Sequence, residues 1–135
     1  MTAVTSAIVS RVIVGLGVDL VEIDRVARAL GRWGQRLVEK LMDPEEASRL
    51  PEAPSDRALA LALAVGGKEA ASKAIGTGWT RGVRWRDVVV TREPPGVELR
   101  NRAREWALQR GSAGAGRLRF EVRGNLVVAE FRLVS

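Results

Sequence analysis

Apolar residues run almost without a break from Ile13 to Ile23, and this segment reads as a strand punctuated by Gly15 and Gly17. Two carboxylates, Asp19 and Glu22, stand in it unexpectedly. From Asp24 to Met42 the apolar positions Val26, Leu30, Trp33, Leu37 and Leu41 recur every three or four residues, which predicts one amphipathic helix passing through Gly31 and Gly34. Asp43, Pro44 and Glu46 then form a start signal, with an N-cap acid, a proline at the first helical position and a capping-box acid. Pro51 and Pro54 end that short helix. Ser55 is expected to cap a largely buried helix rich in alanine and leucine, running to about Ile75 and stopped by Gly76.

Beyond it, Trp79 to Thr91 reads as loop followed by a strand through Val88, Val89 and Val90, and Pro94-Pro95-Gly96 marks a turn. The second part of the stretch from Val97 to Arg110 is helical, with Leu99, Ala103, Trp106 and Ala107 on one face. Gly111 to Gly116 is a flexible connection, and Arg117 to Arg123 and Leu126 to Val134 form a hairpin across Gly124-Asn125. Strands and helices without regular alternation, and without an internal repeat, predict an α+β domain.

At 135 residues and 46% hydrophobic content, the chain is expected to be one domain over 1–135 that builds a core without disulfides, with 1–12 a loose N-terminal extension. The longest apolar stretch, Leu59 to Val65, is too short to cross a bilayer, and Arg11 interrupts the apolar start with no cleavage pattern after it. A soluble, cytoplasmic protein with no membrane partner is the expectation. There is no cysteine and no histidine, which removes thiol nucleophiles, zinc-thiolate sites and the usual general base. Chemistry must then use carboxylates, lysine, hydroxyls or a borrowed metal. A formal charge of +6 favours an anionic partner, but an aromatic content of 4% argues against a nucleic-acid groove lined with stacking rings.

Two segments carry candidate chemistry. Asp19 sits in the apolar run Gly17-Val18-Asp19-Leu20-Val21-Glu22-Ile23, where an ionised carboxylate needs a metal, an arginine or a structural ion pair. In Gly66-Gly67-Lys68-Glu69-Ala70-Ala71-Ser72-Lys73, Glu69 and Lys73 lie one helical turn apart. That pairing suits a metal-bound pyrophosphate, and equally an exposed helix pair worth about 0.2–0.5 kcal/mol. The following Gly76-Thr77-Gly78 can wrap a phosphate or adenine, or can simply close the helix.

Taken in order, Gly17-Val18-Asp19-Leu20-Val21-Glu22-Ile23-Asp24-Arg25 and, some fifty residues later, Lys68-Glu69-Ala70, Ser72-Lys73-Ala74 and Gly76-Thr77-Gly78 resemble the two signatures of the holo-acyl-carrier-protein synthase family. Val83 to Val90 is similar to the family's next segment, so the resemblance spans roughly Val14 to Gly96. It implies a small 4'-phosphopantetheinyl transferase fold, an antiparallel sheet with a long packed helix, and a homotrimer with sites between subunits. It also implies Mg2+, and coenzyme A as the donor whose phosphopantetheine passes to a serine of an acyl or peptidyl carrier protein, releasing 3',5'-ADP. By position, Asp19 and Glu69 match the family's metal ligands and, with Lys73, its catalytic residues. Lys68 and the Gly76, Thr77, Gly78 turn fall among the coenzyme-binding positions.

The chain departs from the family in two places. Arg-Phe-Ala-Ala usually precedes Lys-Glu-Ala, whereas Ala64-Val65-Gly66-Gly67 stands here, so Arg57 is the candidate to supply the missing phosphate contact. A Ser-x-Ser-His strand end is replaced by Leu118-Arg119-Phe120-Glu121-Val122, leaving Arg117, Arg119 or Arg123 either for the 3'-phosphate or simply as the wet face of the strand. The alternatives are a divergent homologue that binds a carrier protein without transferring to it, or one acting on an acyl-pantetheine substrate in the same pocket. Arg25, Arg28, Arg32 and Arg36 form a basic helix face suited to an acidic carrier, or to solvent.

Overall fold

The computed structural model describes residues 11–135. Strand β1 (Ile13–Glu22) leads into helices α1 (Ile23–Trp33), α2 (Gln35–Leu41) and α3 (Pro44–Ser48), then the long α4 (Pro54–Ile75). A 3-10 turn (Trp85–Asp87), the hairpin β2 (Val88–Arg92) and β3 (Pro95–Leu99), α5 (Asn101–Gln109), and the hairpin β4 (Ala115–Arg123) and β5 (Leu126–Val134) follow. Strands β1, β5 and β4 form an antiparallel sheet with β5 central, and β2–β3 is a separate two-stranded sheet. The result is an α+β fold in which α4 lies across the three-stranded sheet. The expected loose start falls mostly outside the described residues, but Val12 is already tied to Ser135, whose backbone N–H donates to the Val12 carbonyl at 2.9 Å.

The period-two pattern of β1 sends Gly15, Gly17, Asp19 and Val21 toward α4, and Leu16, Val18 and Leu20 outward. Because Gly15 and Gly17 have no side chain, α4 comes down onto the strand itself: a methyl group at either position would run into the carbonyl oxygen of Ala74 or Ala70. On the helix side Gly66 and Gly67 do the same work. A Cβ on Gly66 would stand 3.2 Å from Ala129 Cβ, and one on Gly67 would stand 3.0 Å from Val90 Cγ2. The Gly-Gly pair thus lets α4 pack closely against β5 and β2.

Several boundaries differ from expectation. The single helix from Asp24 to Met42 is two, because Gly34 takes φ 55° and breaks the run, leaving Trp33 half exposed. Helix α1 is capped from across the fold, its first N–H groups at Ile23 and Asp24 donating to the Asn125 carbonyl (2.8 Å) and Asn125 Oδ1 (2.9 Å). Asp43 does cap α3, accepting from Glu46 N at 2.7 Å, but Glu46 turns inward instead of closing a capping box. Helix α4 starts at Pro54 after Ala53 with no side-chain cap, so Ser55 lies inside it rather than at its cap. Gly76 ends it in the left-handed region, at φ 89°. Residues 95–99, read as turn and helix approach, form the strand β3, because each pairs across to β2.

Substituting Gly17 by Ala is expected to lower the free energy of unfolding by about 1–3 kcal/mol, as for other small-to-large changes in a tight contact. Urea melts of the two proteins measure this directly.

Candidate active site

Helix α4 presents two different faces at its centre. Lys68 is completely buried, whereas Lys73, five residues on and about 140° around the helix axis, has its side chain half exposed. The Lys68 ammonium donates to Glu46 Oε1 at 2.9 Å, to the Trp85 carbonyl at 3.0 Å and to the Val88 carbonyl. Glu46 Oε2 accepts from Val90 N at 2.9 Å. Burial pushes the Lys68 pKa down, against the pull of the Glu46 carboxylate. Lys68 therefore does not face a coenzyme, contrary to expectation. It joins α3, α4, the 3-10 turn and β2 from within.

Glu69 and Lys73 look the other way, toward Asp19 on β1. Lys73 Nζ donates to Asp19 Oδ1 at 2.8 Å and to the Val18 carbonyl at 3.1 Å. The lysine thus pairs across the helix–strand contact with Asp19, and the pair expected along the helix with Glu69 does not form. Glu69 is half-buried, and burial raises its pKa, with the Asp19 charge pushing the same way; the Trp79 N–H and Lys73 oppose them. The Trp79 indole lies beside the Glu69 carboxylate but falls short of a geometrically sound hydrogen bond. Its Nε1 is the one buried side-chain polar atom without a partner among the described residues.

Asp19 and Glu69 line a common cleft of about 410 Å³, walled by Val26, Leu37, Leu41, Leu61 and Val65 and edged by Glu22 and Arg25. A larger cleft, about 690 Å³, lies between the start of α4, residues 42–51 and β2, and includes neither Asp19, Glu69 nor Lys73. The smaller cleft is the better candidate site because it gathers the carboxylates. Its apolar wall was not foreseen as part of a site, although the spacing of Val26, Leu37 and Leu41 foretold burial.

The other expected positions are distributed unevenly. Gly76, Thr77 and Gly78 turn just past Lys73, and Gly76 N and Gly78 N both donate to the Ser72 carbonyl at 3.2 Å. Thr77 is buried, its hydroxyl donating to the Gly78 carbonyl at 2.9 Å, so the turn serves first as a helix cap. Arg57 lies twelve residues before Glu69, about 18 Å along the helix axis. Its guanidinium donates to the Pro51 carbonyl and to Gln35 Oε1, so the structure does not bring it to Asp19 and Glu69. Arg117, Arg119 and Arg123 are exposed on β4, alternating along one face.

The donor set suits a hard divalent cation. Two carboxylates share the cleft, no cluster of three or more such ligands occurs among the described residues, and Mg2+ typically takes one or two carboxylates and completes its shell with phosphate oxygens and water.

Known proteins share the sequence pattern and the fold that carry this cleft. The profile of the 4'-phosphopantetheinyl transferase superfamily matches residues 15–128. A holo-[acyl-carrier-protein] synthase of Alkalilimnicola ehrlichii is 42% identical over 105 residues, covering 76% of this chain and 82% of its own. Another, of Nitratidesulfovibrio vulgaris, is 45% identical over 85 residues, covering 63% and 67%. The crystal structure of holo-[acyl-carrier-protein] synthase from Neisseria meningitidis superposes with a TM-score of 0.75 at 27% identity, covering 91% of this chain and 98% of that one. The Helicobacter pylori synthase in complex with coenzyme A shares the fold, with a TM-score of 0.70 at 21% identity and coverage of 89% and 99%. Sequence match over most of the chain and agreement of fold lead to one conclusion: the chain belongs to the 4'-phosphopantetheinyl transferase superfamily, with the holo-[acyl-carrier-protein] synthases.

Proposed function

We propose that the chain works as a single transferase domain, moving 4'-phosphopantetheine from coenzyme A to a carrier-protein serine at the cleft shared by Asp19 and Glu69. The observation that carries this reading is the meeting of residues fifty positions apart: Asp19 on β1 faces Glu69 and Lys73 on α4 across a contact too close for side chains between the backbones. Asp19 and Glu69 would hold Mg2+, which when bound neutralises the coenzyme A pyrophosphate and makes its phosphorus a better electrophile. Lys73, half exposed and bonded to Asp19, exchanges that bond for the phosphate oxygens and offsets the charge that develops on them. The apolar wall of Val26, Leu37, Leu41, Leu61 and Val65 limits water on one side. In the transfer, the serine oxygen forms a bond to the phosphorus that carries the pantetheine arm. The bond from that phosphorus to 3',5'-ADP breaks, 3',5'-ADP leaves with the bonding electron pair, and the serine proton passes to water.

Two surfaces support the rest of the reading. Arg25, Arg28, Arg32 and Arg36 on α1 and α2 are all exposed, and none takes part in an ion pair among the described residues. Such a face is suited to an acidic carrier of fatty-acid or polyketide assembly, in a cytoplasmic setting. No helix in the described residues is long and apolar enough to cross a membrane. On the opposite side of β1 from α4, Leu16, Val18 and Leu20 are 57%, 46% and 63% exposed, an apolar strip that favours burial against further copies of the chain in a homotrimer.

Intact-mass spectrometry of apo carrier proteins incubated with the protein, coenzyme A and Mg2+ should show the gain of one phosphopantetheine group. With Glu69→Ala the rate should fall by about 100- to 1,000-fold, the scale for losing one electrostatic contact to a transition state. A carrier modified equally by wild type and variant would remove Glu69 from the chemistry. Arg28→Glu should raise KM for the carrier while coenzyme A affinity, measured by calorimetry, stays unchanged; equal carrier binding rejects the docking face. Val18→Asp should shift the sedimentation coefficient from trimer to monomer, and a monomeric wild type would defeat the oligomer.

A further inference from the structure

Trp79 stands three residues past the cap of α4, where Gly78 at φ 55° turns the chain back against the helix. Its ring stacks on Trp85, centroids 4.0 Å apart and planes 20° from parallel. Trp85 is itself held to α4, because its carbonyl accepts from Lys68, the neighbour of Glu69. The indole is thus fixed from two directions, which makes its free N–H a property of the packing rather than of a loose ring. A buried donor left without an acceptor costs about 1–3 kcal/mol. The Glu69 carboxylate lies within its reach, though the two are not aligned as a hydrogen bond.

We infer that Trp79 is a positioning residue for Glu69, its indole N–H donating to one carboxylate oxygen when the other turns to a divalent cation. The inference rests on the reading of Glu69 as a cation ligand. A carboxylate that binds metal through one oxygen gains orientation and affinity from a donor on the second, and loss of such a partner typically costs about 10- to 100-fold in affinity. The arrangement fits that role: a rigid aromatic donor with an unused hydrogen, placed beside the carboxylate and outside the helix that carries it.

The test is Mn2+ binding measured by electron paramagnetic resonance in the presence of 3',5'-ADP, so that no turnover enters. Trp79→Phe keeps a stacked ring and removes the N–H; its Mn2+ affinity should fall by about 10-fold or more, whereas Trp85→Phe, which alters the stack and leaves the Trp79 donor, should match wild type. Glu69→Ala runs beside them. If Glu69→Ala loses the cation and Trp79→Phe keeps it, Trp79 has no such role although the metal reading stands. If Glu69→Ala also keeps the cation, the metal reading falls and takes the inference with it. Equal weakening in both tryptophan variants assigns the effect to the stack and overturns the hydrogen bond. Should Trp79→Phe fail to fold, the wild-type indole N–H resonance decides: a downfield shift on adding Mg2+ to the 3',5'-ADP complex supports the bond, and no shift rejects it.

Discussion

The backbone contact between α4 and β1 governs the rest of the molecule. Gly15 and Gly17 remove the side chains that would otherwise hold the helix off the strand, and Ala70 and Ala74 meet them with their carbonyls. At that approach the short side chain of Asp19 reaches Lys73 directly. A longer separation would leave Asp19 as an unpaired carboxylate in an apolar strand, which is costly. The same contact therefore stabilises the core and defines the distance across which the candidate site is built.

Charge is divided by the helix into an interior and a mouth. Lys68 and Glu46 are both nearly inaccessible, and three acceptors satisfy the Lys68 ammonium. Removing one partner from a buried pair of this kind commonly costs about 3–5 kcal/mol, because the other charge is left stranded. Lys73 and Asp19 keep contact with solvent, so their pairing can be exchanged for a ligand at far lower cost. Two lysines five residues apart in one motif thus have unrelated duties, and the rotation of the helix decides which is which.

The places where the chain leaves its family's pattern have different physical explanations. Gly66 and Gly67 fit a contact in which alanine methyl groups would press on Ala129 and Val90. Ala64 and Val65, in contrast, line two separate clefts, Ala64 the larger one and Val65 the one holding Asp19 and Glu69. Ala64 is itself buried, so the position aligned with the family's arginine opens onto the larger cleft and not onto the site of Asp19 and Glu69. Arg57 does not replace that arginine, being engaged with Pro51 and Gln35 at the start of α4.

Local pattern alone was enough for β1, the long α4 with its Gly76 stop, the Asp43 cap, the β2 strand and the β4–β5 hairpin, because alternation, helical periodicity and glycine stops act over a few residues. Asp19, Glu69 and Lys73 stood out as charged groups in their surroundings, but local pattern left them equally readable as ion pairs, and only the resemblance to the two family signatures singled them out as a candidate site. Tertiary structure decided what periodicity cannot encode. The Asn125 cap on α1 acts across about a hundred positions of chain, β3 exists only through its pairing with β2, and the break at Gly34 follows from a positive φ that the apolar spacing ignored. It also turned Lys68 inward and Lys73 outward, and set Trp79 beside Glu69. A sequence lists neighbours along the chain, whereas burial and ion pairing depend on neighbours in space, and only the packing of α4 onto β1 brings the two lists together.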